Sequence, residues 1–212
     1  FPTRRSSDLD KVTSLSKIFT AISSGKFKGK KLELPSLSTT RSTKNIVKGS
    51  FFDTLRDELA GKIFIEGFGG SAVMACEALS NGADSAIAIE KDRVAFKLTA
   101  KNMASVDELN LRAINGDSFE ILADIVNSQT KPVLLYLDPP FDTRDGFNGV
   151  YDALSKLIAD LKKDKIFMIV FEHASSFKFS DKIANFTLLK SKKFGATTLS
   201  YFIYNDKLAD KF

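Results

Sequence analysis

The stretch KIFIEGFGGSAVMACEALSNGADSAIAIE, residues 62–90, contains a complete strand–helix–strand unit. Lys62–Glu66 is mostly apolar and predicts a strand, and three glycines follow it within four residues. A helix over Ser71–Ser80 ends at an Asn-Gly pair, and Ser85–Glu90 is a second apolar strand. Two strands joined through a helix lie parallel in one sheet, so this stretch decides the fold class.

Strands and helices keep alternating after this unit. The remaining predicted strands are Leu111–Asn115, Pro132–Leu137, Ile166–Glu172, Phe186–Lys190 and Thr197–Tyr204, and the remaining predicted helices are Asp92–Ser105, Phe119–Val126 and Val150–Leu161. No long helix separates the last two strands, so we expect them to form an antiparallel hairpin. The pattern predicts an α/β fold with a mostly parallel, seven-stranded sheet and helices on both faces.

The part of the chain before this unit has a different character. Two extended segments, Ile18–Ser23 and Lys30–Leu34, flank a basic turn and predict a small β extension, and Ile46–Leu59 has the apolar spacing of an amphipathic helix. We expect a basic extension over residues 10–45 and a main domain over 46–212. Residues 1–9, FPTRRSSDL, look like a translated sequencing adapter, so we do not expect them to belong to the fold.

The composition is typical of a folded protein and excludes several classes. The chain has 212 residues, of which 43% are hydrophobic and 27% charged, which excludes disordered and collagen-like sequences. No run of 18 apolar residues predicts a membrane-spanning helix. Cys76 and His173 are single occurrences, which excludes a disulfide framework and a metal cluster of these residue types. We expect a cytoplasmic monomer without a metal.

Positive charge is concentrated near the amino terminus. Residues 10–57 carry ten basic and four acidic side chains, whereas residues 58–212 carry 19 basic and 21 acidic ones. The densest basic cluster consists of Lys26, Lys28, Lys30 and Lys31. Such a cluster is either a solvated surface edge or a surface that binds phosphates of a polyanion.

The first strand of the unit ends in a loop that is typical of a cofactor site. Glycines after a strand and before a helix let the backbone approach a ligand closely. The predicted cofactor loop comprises Glu66, Gly67, Phe68, Gly69 and Gly70. We expect Glu90, at the end of the next strand, to accept hydrogen bonds from ribose hydroxyls, and Asp117 to accept one from an adenine amine. The alternative for both acids is that they only cap the following helices.

The most specific motif follows the fourth strand and reads Asp138-Pro139-Pro140-Phe141. The two prolines remove backbone donors, which leaves carbonyl oxygens and a carboxylate as acceptors beside an aromatic ring. Such a site suits a planar group that bears an exocyclic amine. Asp138 and the Pro139 carbonyl would accept the amine hydrogens, while Phe141 would stack on the ring.

With these motifs, the chain from about Lys17 to Phe202 resembles the bacterial small-subunit ribosomal RNA guanine-N2 methyltransferase family. The resembling segments are Glu66–Ser71, Glu77–Ala83, Asp138–Phe141, Gly25–Leu32, Arg41–Thr43 and Phe51-Phe52. The resemblance implies a Rossmann-like class I methyltransferase fold, S-adenosylmethionine as cofactor, and ribosomal RNA or the small ribosomal subunit as partner. It also implies RNA contacts by the basic extension, including Arg41. The sequence departs from the family at Glu66, Ala72, Ser42, Ile46 and Gly49.

Three other functions compete with this interpretation. A DNA adenine-N6 methyltransferase uses a similar proline-rich motif, although the sequence offers no separate target-recognition domain. A nicotinamide dehydrogenase could use the glycine loop and Glu90, but it would leave Asp138 and its neighbours without a role. A non-enzymatic RNA-binding module would need neither the loop nor the acid, and both are present.

Overall fold

The computed structural model of the chain describes residues 17–35, 41–139 and 148–204. Its strands are β1 Ile18–Ala21, β2 Lys31–Leu34, β3 Ile63–Glu66, β4 Ser85–Glu90, β5 Leu111–Asn115, β6 Val133–Leu137, β7 Ile166–Ala174, β8 Lys182–Ile183, β9 Phe186–Phe194 and β10 Thr197–Ile203. Its helices are α1 Arg41–Thr54, α2 Val73–Ser80, α3 Arg93–Val106, α4 Ser118–Asn127 and α5 Asn148–Ala159, with a 3-10 turn at Lys163–Lys165.

The main sheet has the predicted mixed architecture. Its strand order is β5-β4-β3-β6-β7-β10-β9-β8, with parallel pairing from β5 to β7 and antiparallel pairing from β7 to β8. The sheet has eight strands rather than the seven expected, because the two-residue β8 is too short to leave a periodic signal. The strand order reverses between β3 and β6, and at such a point the carboxyl ends of parallel strands form a crevice that accepts ligands.

Helices cover both faces of this sheet, as the alternation predicted. One apolar core joins α1, α2 and α3 to strand residues such as Phe64, Tyr136 and Tyr201. The other joins α4 and α5 to the alternating strand residues, such as Ile65, Leu135 and Phe171. Because successive strand residues face opposite sides, each buried strand supplies both cores. No helix in the described ranges is long and apolar enough to span a membrane.

A hairpin of β1 and β2 lies across α2 and α3. Its tip contacts the end of α2, where the Lys26 amide donates to the Ser80 carbonyl oxygen at 2.8 Å. Gly25 has φ 82°, and a Cβ there would lie 1.8 Å from the Ser80 oxygen, so only glycine fits this contact. Farther along, the Glu33 amide donates to Asn102 Oδ1 at 2.9 Å. The hairpin is therefore packed onto the domain.

Helix α1 begins earlier than the sequence pattern indicated. The apolar spacing predicted a helix over Ile46–Leu59, but the helix covers Arg41–Thr54 and is followed by a bend and a turn at residues 55–58. The start was missed because the first turn is polar and has no periodic apolar residue. The expected boundary between residues 45 and 46 falls inside this helix.

Candidate active site

A cavity of ≈ 470 Å³ opens where the strand order reverses. Its walls are the β1–β2 hairpin, α1, the glycine loop after β3, and the carboxyl ends of β3, β6 and β7. Three acidic side chains line it, Glu66, Asp138 and Glu172, together with Lys44 and Lys48 of α1. The size is ordinary for a small-molecule site, and the lining brings charges of both signs into one space.

Two glycines of the loop pack closely against the neighbouring strands. The Gly69 amide donates to the Ile89 carbonyl oxygen at 2.7 Å, and a Cβ on Gly69 would lie 3.1 Å from that oxygen. A Cβ on Gly67 would lie 2.5 Å from Leu137 Cδ2. The glycines therefore allow close packing against β4 and β6, and Phe68, Gly69 and Gly70 reach the cavity wall.

Glu66, the last residue of β3, anchors the helix that follows the loop. Its side chain is buried, and Oε2 accepts a hydrogen bond from the Ala75 amide in the first turn of α2 at 3.0 Å. Burial raises the pKa of Glu66 well above its usual value, and the nearby Asp138 carboxyl adds to the shift.

Glu90 holds the loop from the neighbouring strand. One carboxylate oxygen accepts from the Gly70 amide and the other from the Asp92 amide, each at 2.8 Å. The side chain lies behind the loop and does not line the cavity, although a carboxylate keeps further acceptor sites after two such bonds. Its predicted contact with ribose stays a prediction.

Asp117 has the structural role that the sequence left open as an alternative. Oδ1 accepts from the Phe119 amide at 3.0 Å and so caps α4, while Oδ2 forms an ion pair with Lys91 at 2.6 Å. Lys91 lowers the pKa of this carboxyl. The predicted contact with an adenine amine would have to displace or share the Lys91 ammonium.

Asp138 lies directly beside Glu172. In the β6–β7 register, Leu137 is opposite Phe171, so the next residues of the two strands are neighbours on the same face. Tyr136, two residues before Asp138, donates a short hydrogen bond from its hydroxyl to Glu172 Oε2. The acid pair is thus held by a buried tyrosine at the base of the cavity.

The two carboxyls influence each other's ionisation. Burial, and then the charge of Glu172, raises the pKa of Asp138 to about 8. Burial also raises the pKa of Glu172, while the Tyr136 hydrogen bond and Lys44 oppose that shift. Like charges this close resist ionising together, so near neutral pH the pair retains a proton.

The rest of the proline motif is only partly described. Pro139 is buried directly after Asp138, whereas Pro140 and Phe141 lie outside the described residues. The predicted roles of these three residues therefore stay predictions.

Two functional features were missed by the sequence reasoning. Glu172 was predicted only as the last residue of a strand, and the next residue, His173, faces away from the cavity and bonds Ser200 Oγ at 2.8 Å. Lys48 forms a buried ion pair with Glu77, and Glu77 Oε1 also accepts from the Ser23 amide at 2.8 Å. This pair ties α1, α2 and the hairpin together behind the cavity, and no local motif indicated it.

The predicted RNA-binding lysines lie away from the cavity. Lys26, Lys28, Lys30 and Lys31 are all exposed around the hairpin turn, which packs on the carboxyl end of α2. The cavity lies at the other end of α2, which is eight residues long and therefore about 12 Å. The Arg41 side chain lies outside the described residues.

Known proteins share this sequence pattern and fold. A family model described as "Conserved hypothetical protein 95" matches residues 20–203. Ribosomal RNA small subunit methyltransferase D of Escherichia coli K12 is 31% identical over 117 residues, which cover 55% of this chain and 58% of that protein. The chain thus matches less than two thirds of that relative's length.

Two further similarities cover more of the chain. The Haemophilus influenzae protein of the same name is 29% identical over 189 residues, 87% of this chain and 93% of that protein. The solved structure named for the Escherichia coli methyltransferase yhhF has a TM-score of 0.70 at 26% identity, and covers 87% of this chain and 97% of that one. The family match over residues 20–203 spans most of the β1–β2 hairpin and the whole main sheet.

Proposed function

Because the chain belongs to the conserved hypothetical protein 95 family, we propose that it transfers a methyl group from S-adenosylmethionine to the exocyclic N2 amine of a guanine in small-subunit ribosomal RNA. The observation that carries this proposal is the position of Asp138. Its carboxyl lies at the end of β6 in the same cavity as the glycine loop, beside a second carboxyl from β7. The names of the relatives support ribosomal RNA as the substrate class.

The charges around the cavity fit the cofactor. S-adenosylmethionine carries a sulfonium, an ammonium and a carboxylate, and when bound it supplies the electrophilic methyl group. Glu66, Asp138 and Glu172 provide carboxyl oxygens as hydrogen-bond acceptors, and a bound cationic group would favour their ionised forms; Lys44 at the rim provides positive charge for the carboxylate. Lys48 is already neutralised by Glu77. Because the cofactor has no phosphate, a loop without a phosphate-binding lysine suits it.

The amine of guanine is a poor nucleophile because its lone pair is delocalised into the ring. Transfer therefore requires that the nitrogen be held in line with the methyl group, and orientation of this kind is worth up to ~7–11 kcal/mol. The ionised Asp138 carboxylate accepts an amine hydrogen, which directs the nitrogen lone pair and stabilises the positive charge that develops there. The Pro139 carbonyl and the Phe141 ring are the second acceptor and the stacking surface.

The pair of Asp138 and Glu172 also suits the proton that the amine must lose. A methylated amine carries one proton too many, and Asp138 is the nearest acceptor. The Tyr136 hydroxyl keeps Glu172 oriented toward its neighbour, so the second carboxyl can share the proton that Asp138 receives. Glu172 is thus a positioning residue for Asp138.

Methyl transfer to defined acceptors tests the proposal. The protein is incubated with radiolabelled S-adenosylmethionine and, separately, small ribosomal subunits, naked small-subunit RNA and duplex DNA. The labelled nucleoside is then identified by mass spectrometry. We expect N2-methylguanosine from an RNA acceptor. N6-methyladenine from DNA, or labelling of no nucleic acid, would contradict the proposal.

A matched pair of variants tests the assignment of Asp138. Asp138→Asn should lower single-turnover methyl transfer by ~100-fold or more, with cofactor affinity nearly unchanged. Asp152→Asn makes the same chemical change at an exposed position on α5 and should retain the parent rate. Parent activity in Asp138→Asn would show that the catalytic centre lies elsewhere.

A further inference from the structure

The C-terminal hairpin of β9 and β10 is rich in lysine. Residues 182–205 contain four lysines and no acidic residue. Three of the lysines, Lys190, Lys192 and Lys193, lie on β9. The net charge of −2 over residues 58–212 conceals this local excess, because the acids are concentrated in the preceding helices and loops.

The strand register places two of these lysines on the catalytic face of the sheet. Leu199 of β10 pairs with Glu172 on one side and with Lys192 on the other, so these three residues form a row that continues from Asp138. Lys190 lies one row below, where its ammonium is 5.4 Å from the centre of the Tyr201 ring. Lys193 alternates to the opposite face and is exposed.

A shallow groove separates Lys192 from α1. It is lined on the helix side by Ile46, Gly49, Ser50 and Asp53, and it ends where Lys192 Nζ donates to Thr54 Oγ1 at 2.7 Å. Ile46 is 60% exposed there. Asp53 forms an exposed ion pair of 2.5 Å with Arg56, which lies just after the end of α1.

The groove and the active-site cavity flank the same helix. Lys44 and Lys48 of α1 line the cavity, and Ile46 and Gly49 line the groove. Three strand spacings separate the backbone of Lys192 from that of Asp138, about 14 Å. A strand that places one base in the cavity can therefore cross the first turns of α1 and enter the groove with its next nucleotides.

We propose that the groove between α1 and β9 binds the phosphates of the RNA strand that flanks the target base, with Lys192 in the groove and Lys190, one row below it on β9, as the phosphate contacts. This inference rests on the proposed function. Single-stranded RNA is the occupant that fits, because Lys192 provides an ammonium group for a phosphate and Ile46 provides an exposed apolar side chain against which a base can pack.

Burial, and then the charge of Lys192, lowers the pKa of Lys190, so the two ammoniums oppose each other. A phosphate between them would relieve this repulsion. These two lysines of β9 differ in this way from the lysines of the hairpin turn at Lys26–Lys31, which are exposed and lie behind the cavity. The two surfaces lie on different sides of the cavity and would hold different parts of the RNA.

The adjacent lysines of β9 provide a matched test. Binding of a fluorescent single-stranded oligouridine, and of naked small-subunit RNA, is measured against salt concentration. Lys192→Ala should lower the slope of log affinity against log salt by up to ~0.7, and Lys190→Ala/Lys192→Ala by up to ~1.4. Lys193→Ala removes the same charge from the opposite face and should leave the slope unchanged. Lys192→Arg should retain the parent slope.

Thermal unfolding and cofactor affinity of each variant are measured alongside, because Lys192 also bonds Thr54. The inference would be overturned if the double variant kept the salt slope of the parent protein, or if Lys193→Ala lowered that slope as much as Lys192→Ala does. Methyl transfer to RNA with the parent KM in Lys190→Ala/Lys192→Ala would overturn it as well, while leaving the proposed function intact. Failure of the parent protein to methylate RNA would instead refute the proposed function.

Discussion

Replacing Glu172 with Gln should lower the pKa of Asp138. Burial is the main cause of the raised value of about 8, and the charge of Glu172 is the second. With this pKa, about one tenth of Asp138 is ionised at pH 7 and about half at pH 8. Removing the neighbouring charge makes ionisation easier, so the midpoint should move to lower pH, while burial keeps it above the ordinary value of 3.8.

Carbon-13 NMR of the free protein measures this midpoint directly. Aspartate carboxyl carbons are labelled, and the signal of Asp138 is assigned by its disappearance in Asp138→Asn. The signal should titrate near pH 8 in the parent protein and at a lower pH in Glu172→Gln. Glu120→Gln removes an exposed acid on α4 and serves as the control, for which we expect the parent midpoint.

An unchanged midpoint in Glu172→Gln would refute the coupling of the two carboxyls. A midpoint near 4 in the parent protein would refute the buried acid pair itself. The same ionisation should appear in the methyl-transfer rate, since only ionised Asp138 accepts the amine hydrogen. The kcat/KM of the parent protein should therefore rise by nearly tenfold from pH 6 to pH 7 and level off above about pH 9.

Four further predictions concern stability, the loop and the basic turn. The stability of Asp138→Asn relative to the parent should increase as pH rises from 4 to 8, by up to about 1.4 kcal/mol per pH unit in urea unfolding. The reason is that the folded parent retains a proton on Asp138 that its unfolded chain releases. A stability difference that does not change with pH would argue against this coupling. Gly69→Ala should weaken cofactor binding about tenfold in calorimetry, because its Cβ pushes against the Ile89 oxygen, and parent affinity would contradict this. Glu77→Gln should reduce the free energy of unfolding by about 3–5 kcal/mol because it leaves the Lys48 charge buried, so a loss under 1 kcal/mol would disprove that role. Replacing all four lysines of the hairpin turn with alanine should lower the slope of log RNA affinity against log salt by up to ~3. An unchanged slope would show that the turn is only a solvated edge. The four lysines are Lys26, Lys28, Lys30 and Lys31.

The fold could be predicted because the alternation of strands and helices is regular from residue 62 onward. The bounds of β4 and β5 agree with the sequence prediction to the residue, since both end in clear polar or glycine signals. Helix α1 was predicted five residues too late, as Ile46–Leu59 instead of Arg41–Thr54, because its polar first turn has no periodic apolar residue. Strand β8 has only two residues and is formed by pairing with β9, which no local pattern reveals.

The candidate site was predictable where its residues are neighbours in sequence. The glycine loop and Asp138 each belong to a short motif at the end of a strand. Glu172 was missed because its position beside Asp138 depends on the register of two strands that lie 34 residues apart. The basic face of β9 was missed for another reason, since a charge summed over 155 residues hides a local excess of four lysines.

The hairpin that closes the cavity also sets an order of assembly. Its strands lie near the amino end of the chain, yet Ser23 bonds Glu77 across 54 residues and Glu33 bonds Asn102 across 69. During synthesis the hairpin leaves the ribosome before either of the helices on which it packs. It must wait until α3 has emerged, and contacts over such sequence distances form slowly. The hairpin therefore reaches its place only after helices that are made later than it is, and the cavity acquires its outer wall only then.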